Sequence, residues 1–144
     1  MDQKPFEFFN EIGIIAQLSR ALFEARLPNG LLVTHFSVLN HLIRVRDGQT
    51  PLAIARAFQT PKTSMTHTLA GLEKHGLIEM RPNPDDGRSK QVWITQAGQA
   101  FRNDAMMTMA QSVGSLLSDM PSSYFDEMVP KLRDMRVLLD ENRD

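Results

Sequence analysis

The sequence predicts a mainly α-helical fold with one small β-hairpin, and three observations lead to this prediction. Two Thr-Pro pairs, Thr50-Pro51 and Thr60-Pro61, each place a hydroxyl before a proline, as at the start of a helix. Two short stretches typical of strands, separated by a loop rich in turn formers, follow at residues 77–95. Long amphipathic segments flank this region at residues 6–26 and 96–141.

The two Thr-Pro pairs predict two helices joined by a tight turn, which is a helix-turn-helix. The first helix is short, from Leu52 to about Phe58. The second ends at His75-Gly76, because a glycine commonly follows the last helical residues. It carries a narrow apolar stripe that is expected to pack on the rest of the domain and that consists of Met65, Leu69 and Leu72.

The opposite face of the second helix is polar, with small residues beside the polar ones. Such a face suits insertion into the major groove of DNA, where donors meet base edges and small residues allow close approach. An ordinary solvated helix surface has the same residue types, so the helix alone leaves both interpretations open. The residues of this face are Thr63, His67, Ala70 and Lys74, with Thr66 and Gly71 flanking them.

The segment after the second helix predicts a β-hairpin with a long charged loop. Residues 77–81 are expected to form a strand, because their side chains alternate enough between apolar and polar, and residues 91–95 are expected to be the partner strand. The loop at 82–90 holds two prolines, a glycine and the basic residues Arg88 and Lys90. A helix-turn-helix followed by such a hairpin is a winged helix, which favours the DNA interpretation.

Short motifs stand in a fixed order around the predicted hairpin. They are the helix end L-E-K-H-G-L-I at residues 72–78, the wing tip Asp86-Gly87-Arg88 and the sequence I-T-Q-A-G at residues 94–98. Together with T-H-F-S-V-L at residues 34–39, they resemble the MarR family of bacterial transcription regulators. Each motif is short, but their order and spacing are specific, and the resemblance extends over nearly the whole chain.

The resemblance implies a homodimer that binds a pseudo-palindromic operator in double-stranded DNA. Thr63, Thr66 and His67 would read base edges, while Lys62 and Ser64 would hold phosphates. Arg88, braced by Asp86, would enter the minor groove. The predicted DNA-binding residues are Lys62, Thr63, Ser64, Thr66, His67, Lys74, Arg88 and Lys90, with Asp86 as support for the wing.

The charge distribution agrees with one module that meets phosphate. The whole chain has a net charge of −1, with 16 Lys and Arg against 17 Asp and Glu. Residues 34–95 contain eight basic and five acidic side chains, a net charge of +3, and all four histidines. The remaining residues have a net charge of −4. A basic middle segment between acidic ends is expected when one module contacts DNA phosphates and the flanking segments do not.

The flanking helices carry more apolar surface than the winged module can cover. Residues 6–26 are apolar on two sides, and a helix from 96 to about 120 would be about 35 Å long. A last helix begins at Ser122, and Pro130 is expected to kink or break it. We favour burial in a dimer over burial within a monomer. The predicted division is a DNA-binding module at 34–95 and a dimerisation layer at 1–33 and 96–144.

The helix predicted from His35 to Asp47, capped by Thr34, carries two histidines and an unusual arginine. His35 and His41 are six residues apart, which does not suit two ligands of one metal, so we expect surface or capping histidines and no metal site. Arg46 lies on the apolar half, where it either bonds the last carbonyls of the helix or faces an acidic ligand.

The resemblance to the MarR family also implies a repressor that a small aromatic or acidic effector releases from DNA. The candidate cleft residues for this effector are Ile12, Phe23, Phe36, His41 and Arg46.

Other classes of function have less support. No G-x-S-x-G, H-E-x-x-H, P-loop or G-x-G-x-x-G motif occurs, so we expect neither an enzyme nor a cofactor site. The absence of cysteine excludes disulfides, and the absence of a long apolar run or leader predicts a cytoplasmic protein. A winged helix used only for protein contacts is the alternative, and its DNA affinity would not fall steeply with salt.

Overall fold

The computed structural model describes residues 1–143, which contain six α-helices and a two-stranded antiparallel sheet. The predicted class, mainly α with a small hairpin, is confirmed. Residues 1–109 and the residues from 110 onward form two compact units. The elements are α1 (Lys4–Glu24), α2 (Val33–Arg44), α3 (Pro51–Ala57), α4 (Lys62–Lys74), β1 (Ile78–Pro82), β2 (Lys90–Ile94), α5 (Gln96–Leu116) and α6 (Ser122–Glu141), with a 3₁₀ turn at Pro28–Gly30.

The start of α3 confirms the prediction made from the first Thr-Pro pair. Thr50 is the N-cap, and its Oγ1 accepts a hydrogen bond from the backbone N–H of Ala53 at 3.2 Å. Pro51 occupies the first helical position, where a missing N–H costs nothing because that group has no partner within the helix.

The second Thr-Pro pair was predicted to cap α4 in the same way, and this prediction is wrong. The N-cap of α4 is Pro61, with φ −59° and ψ 144°, and no side chain caps it. The backbone N–H of Thr60 instead bonds the carbonyl of Ala55 at 3.0 Å, which closes the end of α3. Gln59, at φ 53°, makes the left-handed turn that this closure needs. The turn is so short that Thr60 ends one helix and cannot begin the next.

The predicted glycine stop of α4 is confirmed. Gly76 has φ 71°, and its N–H bonds the carbonyl of Glu73 at 2.9 Å. The N–H of Leu77 bonds the carbonyl of Leu72 at 3.0 Å, so the two bonds form a Schellman motif. The chain then enters β1, which pairs with β2 from Ile78↔Ile94 to Pro82↔Lys90.

One hydrophobic core joins α2, α3, α4 and the hairpin. The predicted stripe of α4 lies in it, since Met65, Leu69 and Leu72 are all buried. Thr95 fixes the exit from the hairpin, because its Oγ1 accepts from the N–H of Gly98 at 3.0 Å and donates to the carbonyl of Gly76 at 2.6 Å. The core residues are Leu31, Val38, Leu39, Leu42, Ile54, Ala55, Met65, Leu69, Leu72, Leu77, Ile78 and Val92.

Helix α2 begins and ends earlier than predicted. Its N-cap is Leu32, not Thr34, and the ring of His35 takes the capping role because Nδ1 accepts from the Leu32 N–H at 2.8 Å. His35 is therefore a capping histidine, as expected, but His41 is buried rather than on the surface. The helix ends at Arg44, so Arg46 lies in the loop that follows and not on an apolar helical face.

Pro130 does not break α6, which is continuous from Ser122 to Glu141. A break is therefore excluded, while the alternative of a kink at Pro130 stays a prediction. Both Pro130 and Asp126 occupy exposed positions, where water satisfies the carbonyl that the proline leaves without a donor. Residue 144, the last of the predicted dimerisation layer, lies outside the described residues. No helix among residues 1–143 is long and apolar enough to cross a membrane.

Candidate nucleic-acid interface

Helix α4 presents a continuous exposed face that is formed by the predicted polar residues. Docking of the Met65, Leu69 and Leu72 stripe on the core fixes the orientation of the helix, so the opposite face points to solvent. Its length of 13 residues and its small side chains match what a major groove admits. The exposed residues of this face are Lys62, Thr63, Ser64, Thr66, His67, Ala70 and Lys74.

The hydroxyl groups on α4 differ in their internal hydrogen bonds. Thr66 Oγ1 donates to the carbonyl of Lys62 at 2.9 Å, so this side chain offers only its oxygen lone pairs and its methyl group to a ligand. Within residues 1–143, the hydroxyl of Thr63 and the ring of His67 make no hydrogen bond. Thr63 and His67 therefore keep both donor and acceptor capacity for an outside partner.

The loop between β1 and β2 is held in shape by its own side chains. Asn83 Oδ1 accepts from the N–H of Asp85 at 3.0 Å, and Asn83 Nδ2 donates to Ser89 Oγ at 2.9 Å. The carbonyl of Asp86 accepts from the N–H of Ser89 at 3.1 Å. These short-range hydrogen bonds hold the tip of the loop in one defined turn conformation.

Arg88 projects from this turn with 93% of its side chain exposed. Asp86 Oδ1 accepts from both the backbone N–H of Arg88 at 3.0 Å and its Nε at 3.3 Å. The carboxylate therefore orients the guanidinium without covering it, and the terminal nitrogens remain available to an acceptor. Lys62, Lys74 and Lys90 are exposed as well, and none of them has an ion-pair partner within the described part of the chain.

Two residues that the sequence prediction missed anchor the base of the hairpin. Asp47 Oδ1 accepts from the N–H of Ile94 at 3.0 Å, and the carbonyl of Gln49 accepts from the N–H of Val92 at 2.7 Å. The loop between α2 and α3 thus pairs with β2 and fixes the hairpin against the helix-turn-helix. An Asp-Gly pair after a helix predicts a turn, but nothing local predicts its partner 47 residues away.

Comparison with known proteins places this geometry in a family. Residues 29–89 match the model of the MarR family. That range contains α2, α3, α4, β1 and the tip of the hairpin. This segment belongs to the MarR family.

Solved structures with the MarR-type winged-helix fold align with nearly the whole chain. The transcriptional regulator BldR from Sulfolobus solfataricus has a TM-score of 0.80 at 22% identity, over 95% of this chain and 99% of its own. A MarR transcriptional regulator from Methanosarcina mazei has a TM-score of 0.82 at 19% identity, over the same shares of the two chains. A mutant MarR from E. coli, complexed with operator DNA, has a TM-score of 0.72 at 19% identity, over 92% of this chain and 96% of its own. The fold of MarR-family transcription regulators therefore extends beyond the matched segment.

The MarR-type fold here contains a cavity of about 510 Å³ between the end of α2 and the start of α5. Of the five cleft residues implied by the family resemblance, Arg46 is on its wall, and the other four are not among its lining residues. His41 belongs to the core, where its Nε2 lies 3.3 Å from Gln49 Oε1 and its ring packs edge-on against Phe58. The lining residues are Leu42, Ile43, Arg46, Asp47, Ile94, Gln99, Arg102 and Asn103.

Arg102 gives this cavity a second, fixed guanidinium. Its Nε and Nη2 donate to Asn40 Oδ1 at 3.1 and 2.9 Å, and its Nη1 donates to Asn103 Oδ1 at 3.1 Å. Both partners are neutral amides, so the charge of Arg102 is not neutralised by them. The cavity therefore combines apolar walls with two arginines and one carboxylate, that of Asp47.

Proposed function

We propose that this protein is a homodimeric, sequence-specific DNA-binding transcription regulator. The observation that carries the proposal is the pairing of two features in residues 34–95, the exposed polar face of α4 and the exposed, braced guanidinium of Arg88. Winged-helix proteins use such a helix in the major groove and such a wing in the minor groove. The net charge of +3 of this segment supports contact with phosphates. The E. coli relative that is complexed with operator DNA has the same fold.

In the proposed complex, base recognition comes from Thr63, Thr66 and His67. Both His67 and Thr63 are exposed and keep donor and acceptor groups for base edges. Lys62 and Ser64, in the first turn of α4, hold phosphates together with the free backbone N–H groups there. Residues 34–95 act as the DNA-binding module in this proposal, and the flanking helices join the two subunits.

The proposed dimer explains the apolar faces of the flanking helices. Neither α1 nor α6 contains a buried residue, although both are rich in large apolar side chains. Leu18 on α1 and Leu138 on α6 are 67% and 53% exposed. Contiguous apolar surface of this kind marks an interaction site, and a second copy of the chain carries the same uncovered faces. A twofold dimer would set two α4 helices about 34 Å apart, one turn of DNA.

The proposed regulator is a repressor that a small acidic or aromatic compound releases from DNA. The cavity beside Arg46 and Arg102 supports an acidic ligand, because two guanidinium groups border an apolar wall there. Such a ligand would act by binding one arrangement of the dimer better than the DNA-bound arrangement. In a fluorescence anisotropy assay, an effector of this class would lower the affinity of the protein for its DNA site.

Fluorescence anisotropy with the intergenic DNA beside the protein's gene tests DNA binding. A regulator that neutralises phosphates loses affinity steeply as salt rises, because it releases condensed counterions. A protein-interaction module that does not bind DNA would show no salt-dependent binding, and this result would replace the proposed function by the alternative.

His67→Ala separates base recognition from phosphate contact in the same assay. We expect it to cost about 1–3 kcal/mol on the cognate site and little on random DNA, because base contacts set specificity. Lys131→Ala, at an exposed lysine of α6, is the matched control and should change neither. Equal losses on both DNAs would show that His67 contacts phosphate instead.

A further inference from the structure

The ring of His35 lies where the N-terminus of α2 meets the middle of α4. Its Nδ1 accepts the hydrogen bond from the N–H of Leu32 at 2.8 Å. A ring nitrogen accepts only when it carries no proton, so this bond requires a neutral ring with its proton on Nε2. The Nε2 side of the ring faces Gly71.

Gly71 makes room for this ring. A Cβ at residue 71 would lie 2.9 Å from His35 Nε2, closer than real Cβ atoms approach another heavy atom. Gly71 lies within the continuous helix α4 and has no positive φ, so its missing side chain serves close approach and not an unusual backbone conformation. The imidazole of His35 therefore packs directly on the backbone of the helix that carries the polar face.

The surroundings of His35 oppose its protonation. Burial lowers the pKa of His35 from the usual 6.5, and the neighbouring His75 and His67 on α4 lower it further. Glu24 at the end of α1 acts in the opposite direction, but its Oε1 is engaged by the N–H of Val33 at 3.0 Å. Among the described residues, no group of three or more His, Cys, Asp or Glu side chains is arranged to hold a metal ion.

We propose that neutral His35 is a positioning residue for α4, and that its protonation weakens sequence-specific DNA binding. A proton on Nδ1 would set two donors, Nδ1–H and the Leu32 N–H, against each other at hydrogen-bonding distance. It would also place a positive charge beside His67 and His75. The ring would leave its place on Gly71, and α4 would lose a contact that fixes its orientation. The DNA part of this inference rests on the proposed function.

The sign of the pH effect on stability follows from the lowered pKa. The unfolded chain takes up a proton on His35 more readily than the folded chain does, so protons favour unfolding. The contribution of His35 to stability is complete above about pH 6.5, and it is lost as the pH falls toward the lowered pKa of the folded state. Sequence-specific DNA binding should weaken at still lower pH, below the lowered pKa, because the folded protein takes up the proton on His35 only there.

Two-bond ¹H–¹⁵N NMR spectra of the imidazole rings test the state of His35 directly. We expect the Nε2–H tautomer for His35 and a titration midpoint below the usual imidazole value of about 6.5. An Nδ1–H tautomer, or a midpoint at or above that usual value, would overturn the proposal whatever the protein does with DNA.

The pH profile of DNA binding tests the functional part. The variant His35→Asn keeps an oxygen that accepts from the Leu32 N–H but does not titrate. For wild type, the ratio of cognate to random affinity should fall by up to about tenfold per pH unit below the pKa of His35. The His35→Asn profile should lack this fall, with circular dichroism used to show that both proteins stay folded. A His35→Asn profile that matches wild type would contradict the proposal.

A third variant protects this test against misfolding of His35→Asn. Gly71→Ala should displace the ring without removing it, and it should raise the NMR midpoint of His35 toward the usual imidazole value of about 6.5. An unchanged midpoint would show that the ring does not depend on Gly71. If wild type binds no DNA at any pH, the proposed function fails, whereas the NMR results still decide whether neutral His35 packs on Gly71 of α4.

Discussion

At the scale of single residues, the wing tip shows how a short sequence can hold a charge away from the protein. Arg88 gains almost no burial, since 93% of its side chain is exposed. An exposed ion pair with Asp86 adds little to stability, so folding alone does not account for this arrangement. Contact with an outside anion, as the proposed function requires, accounts for it, because the guanidinium is oriented by Asp86 and has no other partner among residues 1–143.

Arg88→Ala should weaken binding to cognate and random DNA alike and lower the slope of log K against log salt. The reduction should be roughly one unit per wing, since one phosphate-neutralising charge is lost from each. Arg88→Lys should rescue only part of the affinity, because lysine keeps the charge but lacks the planar fork. The measurement is a salt titration by fluorescence anisotropy.

The control for Arg88 is Arg143→Ala. Arg143 also pairs with an aspartate, Asp140, but lies beyond the last helix and outside the proposed DNA-binding module. It should leave the slope unchanged. An Arg88→Ala protein with wild-type affinity and slope would show that the wing is a structural hairpin only.

At the scale of elements, local chemistry predicted where most helices and strands begin and end. Three local signals each specify the structure around them: Pro51 after Thr50, the glycine at 76 and the alternation before the wing. The structure follows all three. The prediction that Thr60 caps α4 was wrong, because the end of α3 and the start of α4 share one short turn. The backbone N–H of Thr60 closes the end of α3 there. Sequence periodicity cannot resolve such a competition.

Contacts between distant elements could not be predicted from sequence patterns. The packing of His35 on Gly71 joins residues 36 positions apart, and Asp47 meets Ile94 across 47 positions. Gly71 was assigned to the DNA-facing side as a residue that permits close approach. The structure shows that the close approach there is made by His35. The predicted site residues of α4 lie on one exposed face, because they follow from helical periodicity, which is a local property.

The two Thr-Pro pairs give a matched test of helix capping. Thr50→Ala should lower the free energy of unfolding by about 1 kcal/mol, because it removes the oxygen that accepts from the Ala53 N–H. Thr60→Ala should cost much less, since Thr60 contributes its backbone and no capping side chain. Urea unfolding followed by circular dichroism measures both. Equal losses would show that the Thr60 hydroxyl also caps a helix in solution.

At the scale of the whole molecule, the uncovered apolar faces of α1 and α6 require a partner under the proposed function. Leu18→Glu, on α1, should therefore produce a monomer at micromolar concentration and abolish high-affinity DNA binding, because a single module contacts only half of the site. Val45→Glu introduces the same change at an apolar residue that is 54% exposed in the winged module, and it should remain a dimer. Sedimentation velocity measures both masses. A wild-type protein that sediments as a monomer would contradict the proposed homodimer.

Selection from a random-sequence DNA library by the purified wild-type protein tests the central claim most directly. Recognition by a twofold dimer predicts enrichment of one sequence with two inverted half-sites, whose centres lie about 10 base pairs or a multiple apart. The reason is that two α4 helices related by a twofold axis meet successive major grooves on one side of the DNA. Sequencing of the enriched pool gives both the half-site and its spacing. A pool that stays random, recovered with a folded and dimeric protein, would contradict sequence-specific recognition by α4.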